Sequence, residues 1–101
     1  MTFVNVGTLG AITGQRDLLV EVLTRRSADL EAAGGLLYEV GVNDEQPDTV
    51  FVAELWTTAD PHQRSFQLES VRTAIQEARR PLLSGEMNGL RFQVVGSPLR
   101  D

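Results

Sequence analysis

The chain holds one tryptophan and one histidine, six residues apart. Trp56 closes the apolar run Thr49-Val-Phe-Val-Ala-Glu-Leu-Trp56, and His62 follows a short polar turn. Such junctions between elements are where a rigid scaffold presents side chains to a cavity. An indole offers a flat apolar wall, and an imidazole exchanges protons near neutral pH. Lining one pocket, the pair would hold and polarise a flat aromatic molecule.

Three further residues suit such a pocket. Glu54 shares strand parity with Trp56. It would serve as a buried orienting acceptor or pair with an arginine at a subunit interface, because a buried carboxylate needs partners. Asn5 sits mid-strand, where asparagine is disfavoured, so it reads as a pocket donor or as a solvated edge residue. Tyr38 would offer its hydroxyl to a ligand or be an ordinary half-buried strand tyrosine. Arg72 lies off the apolar stripe of its helix and reads as a surface ion-pair partner.

Other chemistries find little support. A transition-metal centre needs clustered ligands, and the chain has one histidine, no cysteine and dispersed carboxylates. Gly7-Thr-Leu-Gly10 lacks the Lys-Ser/Thr ending of a phosphate loop. Ser65 has no glycine elbow around it, so a serine nucleophile is not expected.

The hydropathy pattern predicts the scaffold that positions these residues. Thr2 to Ala11 reads as a strand, with Phe3, Asn5, Gly7 and Leu9 on one face and Val4, Val6 and Thr8 on the other. Thr13-Gly14 punctuates it. Leu19, Val22, Leu23, Arg26 and Leu30 recur at helical spacing, predicting one helix over Gln15 to Ala32, stopped by Gly34-Gly35. Leu36 to Val42 and Thr49 to Thr57 alternate as strands around the polar turn Asn43 to Asp48. Asp60 as N-cap and Pro61 in the first helical position open a second helix. Its stripe is Leu68, Val71, Ile75, Ala78 and Leu82, and Pro81 ends or kinks it. Ser84-Gly85-Glu86 reads as a connector, Leu90 to Gly96 as the last strand, and Ser97 to Asp101 as a tail.

The order β-α-β-β-α-β predicts an α+β, ferredoxin-like fold: a four-stranded antiparallel sheet covered on one face by two helices. One such face cannot hold Val4, Val6, Val50, Val52, Leu90, Phe92 and Val94 together with Phe3, Leu9, Phe51, Leu55 and Val95. Two sheets are therefore expected to meet in a homodimer.

With 101 residues, one domain over positions 1–101 is expected. No apolar run approaches the ~20 residues that span a bilayer, and no basic segment precedes an apolar stretch at the N-terminus. Neither a membrane nor a secretory route is expected, and the lack of cysteine is compatible with a cytoplasmic location. The net charge is −5, and all nine basic residues are scattered arginines. Nucleic acid, which needs a concentrated basic face, is not an expected partner.

On this element order, Glu54-Leu-Trp56 followed by His62-Gln-Arg-Ser65-Phe66 resembles the antibiotic biosynthesis monooxygenase family, and within it the small quinol monooxygenase branch. The likeness includes Thr13-Gly14, Gly34-Gly35-Leu-Leu-Tyr38, Val71-Arg72, Ile75 and Arg80-Pro81-Leu-Leu. The resemblance implies a dimeric α+β barrel with a cavity between sheet and helices in each subunit. It implies a cofactor-independent monooxygenase that oxidises a small, polyketide-like phenol or quinol, with O2 as co-substrate. Such chemistry needs the phenol deprotonated and charge on reduced oxygen stabilised. On this reading His62 and Asn5 are catalytic, as base and neutral donor, and Trp56, Tyr38 and Glu54 bind the substrate. Asn5 and Trp56 are then expected to face one cavity, with His62 at its rim. Two other readings share the scaffold. One is a non-catalytic module that holds an aromatic metabolite; the other is a haem-binding or haem-degrading member. The haem-degrading branch carries an asparagine near Gly7, whereas here Asn5 lies two residues earlier.

Overall fold

Strand β1 spans Phe3–Ala11, α1 Arg16–Leu23, α2 Ala28–Ala32 and β2 Gly35–Gly41. They are followed by β3 Thr49–Trp56, α3 Ala59–Ser65, α4 Glu69–Arg79 and β4 Leu83–Gln93. The computed structural model describes residues 2–66, 68–79 and 83–99. The strands form one antiparallel sheet in the order β2-β3-β1-β4, which is the expected ferredoxin-like arrangement. No helix among the described residues is long and apolar enough to cross a membrane.

Each predicted helix is two. Thr24 turns its hydroxyl back onto the carbonyls of Val20 and Glu21, at 2.8 and 3.4 Å, and α1 ends at Leu23. The chain re-enters a helix after Ser27, whose backbone is extended. Ser65 likewise donates to the His62 carbonyl at 2.6 Å, and α3 stops there. A hydroxyl that takes a helical carbonyl competes with the backbone ladder. Helix α3 begins at Ala59, so Asp60 lies in its first turn and is not its cap. Pro61 is tolerated there because first-turn N–H groups have no helical acceptor. The expected break at Pro81 and the stripe residue Leu82 lie outside the described residues.

Strand β4 starts seven residues earlier than predicted and takes in Ser84-Gly85-Glu86. These residues have little strand propensity, but the length of β1 supplies a partner ladder, from Phe3↔Gln93 to Ala11↔Leu83. The register shift between Leu9 and Ala11 and the positive φ of Gly85 (101°) accommodate the poor local sequence.

Register fixes which side chains share a face. Phe3↔Trp56, Asn5↔Glu54, Gly7↔Val52 and Leu9↔Val50 are direct neighbours, so Val50 and Val52 lie with Phe3 and Leu9 toward the helices. At one end of this face Ala11, Leu19, Val22 and Val50 form a buried cluster, flanked by Leu9, Leu23, Val40 and Ala74. At the other end Phe3 and Trp56 pack against His62 of α3. The opposite sheet face carries Val4, Val6, Leu37, Phe51, Leu55, Leu90 and Phe92 and, among the described residues, has no helix over it.

Candidate active site

Between the two packed ends, the helix-facing side of the sheet carries a polar row that crosses all four strands. Tyr38 of β2 stands opposite Glu54 of β3, Glu54 opposite Asn5 of β1, and Asn5 opposite Arg91 of β4. The row is hydrogen-bonded. Asn5 Nδ2 donates to Glu54 Oε2 at 2.6 Å, and Arg91 Nε donates to Asn5 Oδ1 at 3.3 Å. Trp56 Nε1 donates to Glu54 Oε1 at 3.2 Å. The buried carboxylate of Glu54 thus has two N–H donors, which offset the cost of burying it. The acceptor and donor on either side of Asn5 also fix its amide orientation, since a flip would set N–H against guanidinium and oxygen against carboxylate.

His62 enters from α3. Its Nε2 lies 3.8 Å from Glu54 Oε1. Three rings wall the imidazole: Phe3, Trp56 and Phe66, with centroids 5.6, 5.6 and 5.5 Å away. Only 3% of the residue is exposed. Burial pushes its pKa below the ordinary 6.5; the Glu54 charge opposes that shift and the Arg91 charge adds to it. The imidazole is therefore neutral at pH 7 and has proton-accepting capacity. At the other end of the row, burial of the hydroxyl and then the Glu54 charge push Tyr38 up to about 12, although 38% of the residue remains exposed.

A cavity of about 1180 Å³ opens above the row, between the sheet and α1 to α4. Asn5, Tyr38, Glu54, His62 and Arg91 all line it. Helix α1 contributes Leu19 and Val22, and α4 contributes Val71 and Ile75. Arg26 and Leu30, beyond the break in the first predicted helix, line it as well.

Two expectations need correction. Trp56 shares the face of Asn5 but is not among the lining residues. It is 1% exposed, lies behind Glu54 and His62, and serves them as donor and edge-on ring neighbour. His62 is a buried wall residue and does not sit at a solvent-exposed rim. The structure adds Arg91 to the site; β4's alternation gave its face, but its neighbour Asn5 is 86 residues away in sequence. Among the described residues, no group of three or more histidine, cysteine or carboxylate side chains could hold a metal ion.

The antibiotic biosynthesis monooxygenase family model matches residues 2–77. The chain belongs to the antibiotic biosynthesis monooxygenase family. A candidate antibiotic biosynthesis monooxygenase from Chloroflexus aurantiacus J-10-fl is 29% identical. The two superpose with a TM-score of 0.79 over 96% of this chain and 97% of that one. A candidate member from Nitrosomonas europaea superposes with a TM-score of 0.81 at 9% identity, covering 93% of this chain and 90% of its own. One from Deinococcus radiodurans gives 0.74 at 20% identity, with 94% of each chain covered. The last two likenesses show the shared fold alone. No functionally curated protein matches the chain. In this family member the matched segment holds Asn5, Tyr38, Glu54, Trp56 and His62, while Arg91 lies beyond it.

Proposed function

We propose that the protein is a cofactor-independent monooxygenase of the quinol-oxidising kind, acting in the cytoplasm on a small, polyketide-like phenol or quinol. The observation that carries this reading is a buried, neutral imidazole on the wall of a large cavity, beside a hydrogen-bonded Asn5–Glu54 pair. A phenol placed with its hydroxyl at His62 gives up its proton to the imidazole, and the phenolate is a far better reductant toward O2. One oxygen atom enters the ring and the other leaves as water, so the phenol becomes a quinone. The imidazolium formed at His62 is held by the nearby Glu54 carboxylate. Tyr38, with its raised pKa, stays protonated and is available as a hydrogen-bond donor to the substrate.

We further propose that two copies associate through the uncovered sheet face, completing an α+β barrel. The test of activity is oxygen uptake with hydroxylated naphthalenes above the autoxidation background, using ¹⁸O2 to follow one labelled atom into the quinone. His62→Ala should lower turnover by about 10²-fold or more. Saturable binding without oxygen uptake would leave the cavity as a non-catalytic binding site and reject the enzyme.

A further inference from the structure

We propose that the cavity selects an aromatic carboxylate, with Arg91 as the residue that binds the carboxylate. From the proposed function this takes only that the cavity holds an aromatic ligand; it requires no oxygen chemistry.

The first observation is the state of the cavity's cations. Arg25 is neutralised by Glu21 and Glu77. Among the described residues, no carboxylate lies within ion-pair distance of Arg26 or Arg91, and of these two only Arg91 stands in the polar row, bonded to Asn5. Arg91 spends its Nε on Asn5, which leaves the two Nη groups, a paired-donor edge that matches a carboxylate. Asn5 is a weaker candidate for this task, because its carbonyl is taken by Arg91 and its amide nitrogen already serves Glu54.

The second observation is polarity along the row. A cation stands on β4 and an anion on β3, with neutral Asn5 between them on β1. The two charged positions are two strand spacings apart, about 10 Å. A ligand carboxylate is repelled from Glu54 and drawn to Arg91, so the rest of an aromatic ligand is directed toward Glu54 and His62. The chain's net charge of −5 disfavours anions in general, so a preference for one must come from the site.

The third observation is the floor. Gly7 and Gly89 are direct cross-strand neighbours in the next row, and both line the cavity. With no side chains there, a flat ring can lie against the sheet backbone. A Cβ on Gly89 would meet nothing nearer than Val6 O at 3.7 Å, so a larger residue fits the backbone and fills the floor.

Calorimetric titration with 2-naphthoate and its neutral match 2-naphthamide tests the assignment. The wild-type protein should bind the carboxylate about tenfold or more tightly than the amide. Arg91→Leu should bring the carboxylate down to the affinity of the amide, while Arg26→Leu retains the preference. Gly89→Leu should weaken both ligands, and circular dichroism should show each variant folded. Equal wild-type affinities, a preference that survives Arg91→Leu, or one that is lost in Arg26→Leu would overturn the assignment and leave the aromatic cavity standing. Binding of neither ligand would remove both.

Discussion

Glu54 is the residue on which the site's order depends, because Asn5 and Trp56 both donate to it. A carboxylate can accept at both oxygens, whereas a glutamine must turn its NH2 toward one of these donors. Glu54→Gln should therefore destabilise the fold by about 1–3 kcal/mol, the cost of a buried donor without an acceptor, read from urea unfolding. An unchanged midpoint would mean that the pairing contributes nothing. His62 gives a second prediction, in pH. Its folded pKa lies below the unfolded value of 6.5, so between the two values the unfolded chain binds more protons. The stability contributed by the neutral imidazole is fully present above 6.5 and is lost as pH falls through the lowered folded value. The difference in urea midpoint between wild type and His62→Gln should thus be flat above pH 6.5 and shift against the wild type on acidification below it. A constant difference across the range would show that His62 titrates alike in both states.

At the scale of elements, the turn from α2 into β2 presses on the start of α3. Gly34 has φ of 113°, and a Cβ there would stand 2.7 Å from Thr57 Oγ1 and 3.0 Å from Pro61. Gly14, after β1, has φ of 83° but open space around it. Gly14→Ala should cost only backbone strain, about 1–2 kcal/mol. Gly34→Ala adds a clash at the junction that carries His62 and should melt clearly lower. Equal melting temperatures would show that the junction yields easily. The elements that carry the site differ in how openly the sequence declares them. Alternation in β1 and β3 placed Asn5, Glu54 and Trp56 on one face, since period-two burial is a strong signal. The breaks after Leu23 and Ser65 were hidden because apolar spacing continues across them; a hydroxyl bond to a carbonyl leaves no mark in a hydrophobic pattern. The start of β4 was hidden because its partner, β1, supplies what Ser84-Gly85-Glu86 lacks in propensity. Parity also could not say that Trp56 turns behind Glu54, which depends on side-chain packing rather than on strand face.

At the scale of the whole molecule, the helices of the described residues cover one side of the sheet. On the other, Val6, Leu37, Leu90 and Phe92 are 40, 42, 66 and 46% exposed, and Glu39 is a charged residue among them. A largely apolar sheet face of this kind is an interaction surface or an aggregation liability. A second copy is the occupant proposed, because one face can serve both partners around a two-fold axis and the contact then closes. Sedimentation at micromolar concentration should give twice the chain mass of 11.1 kDa. Phe92→Asp places a charge on this apolar face without touching the helix-facing core, so it should yield a folded monomer with far-ultraviolet circular dichroism unchanged. The substitution also separates two kinds of dependence. If the cavity is complete within one copy, monomeric Phe92→Asp retains ligand binding, because Asn5, Glu54, His62 and Arg91 all come from the same chain. A wild-type monomer at these concentrations would reject the barrel, and a Phe92→Asp protein that remains dimeric would move the contact to another face.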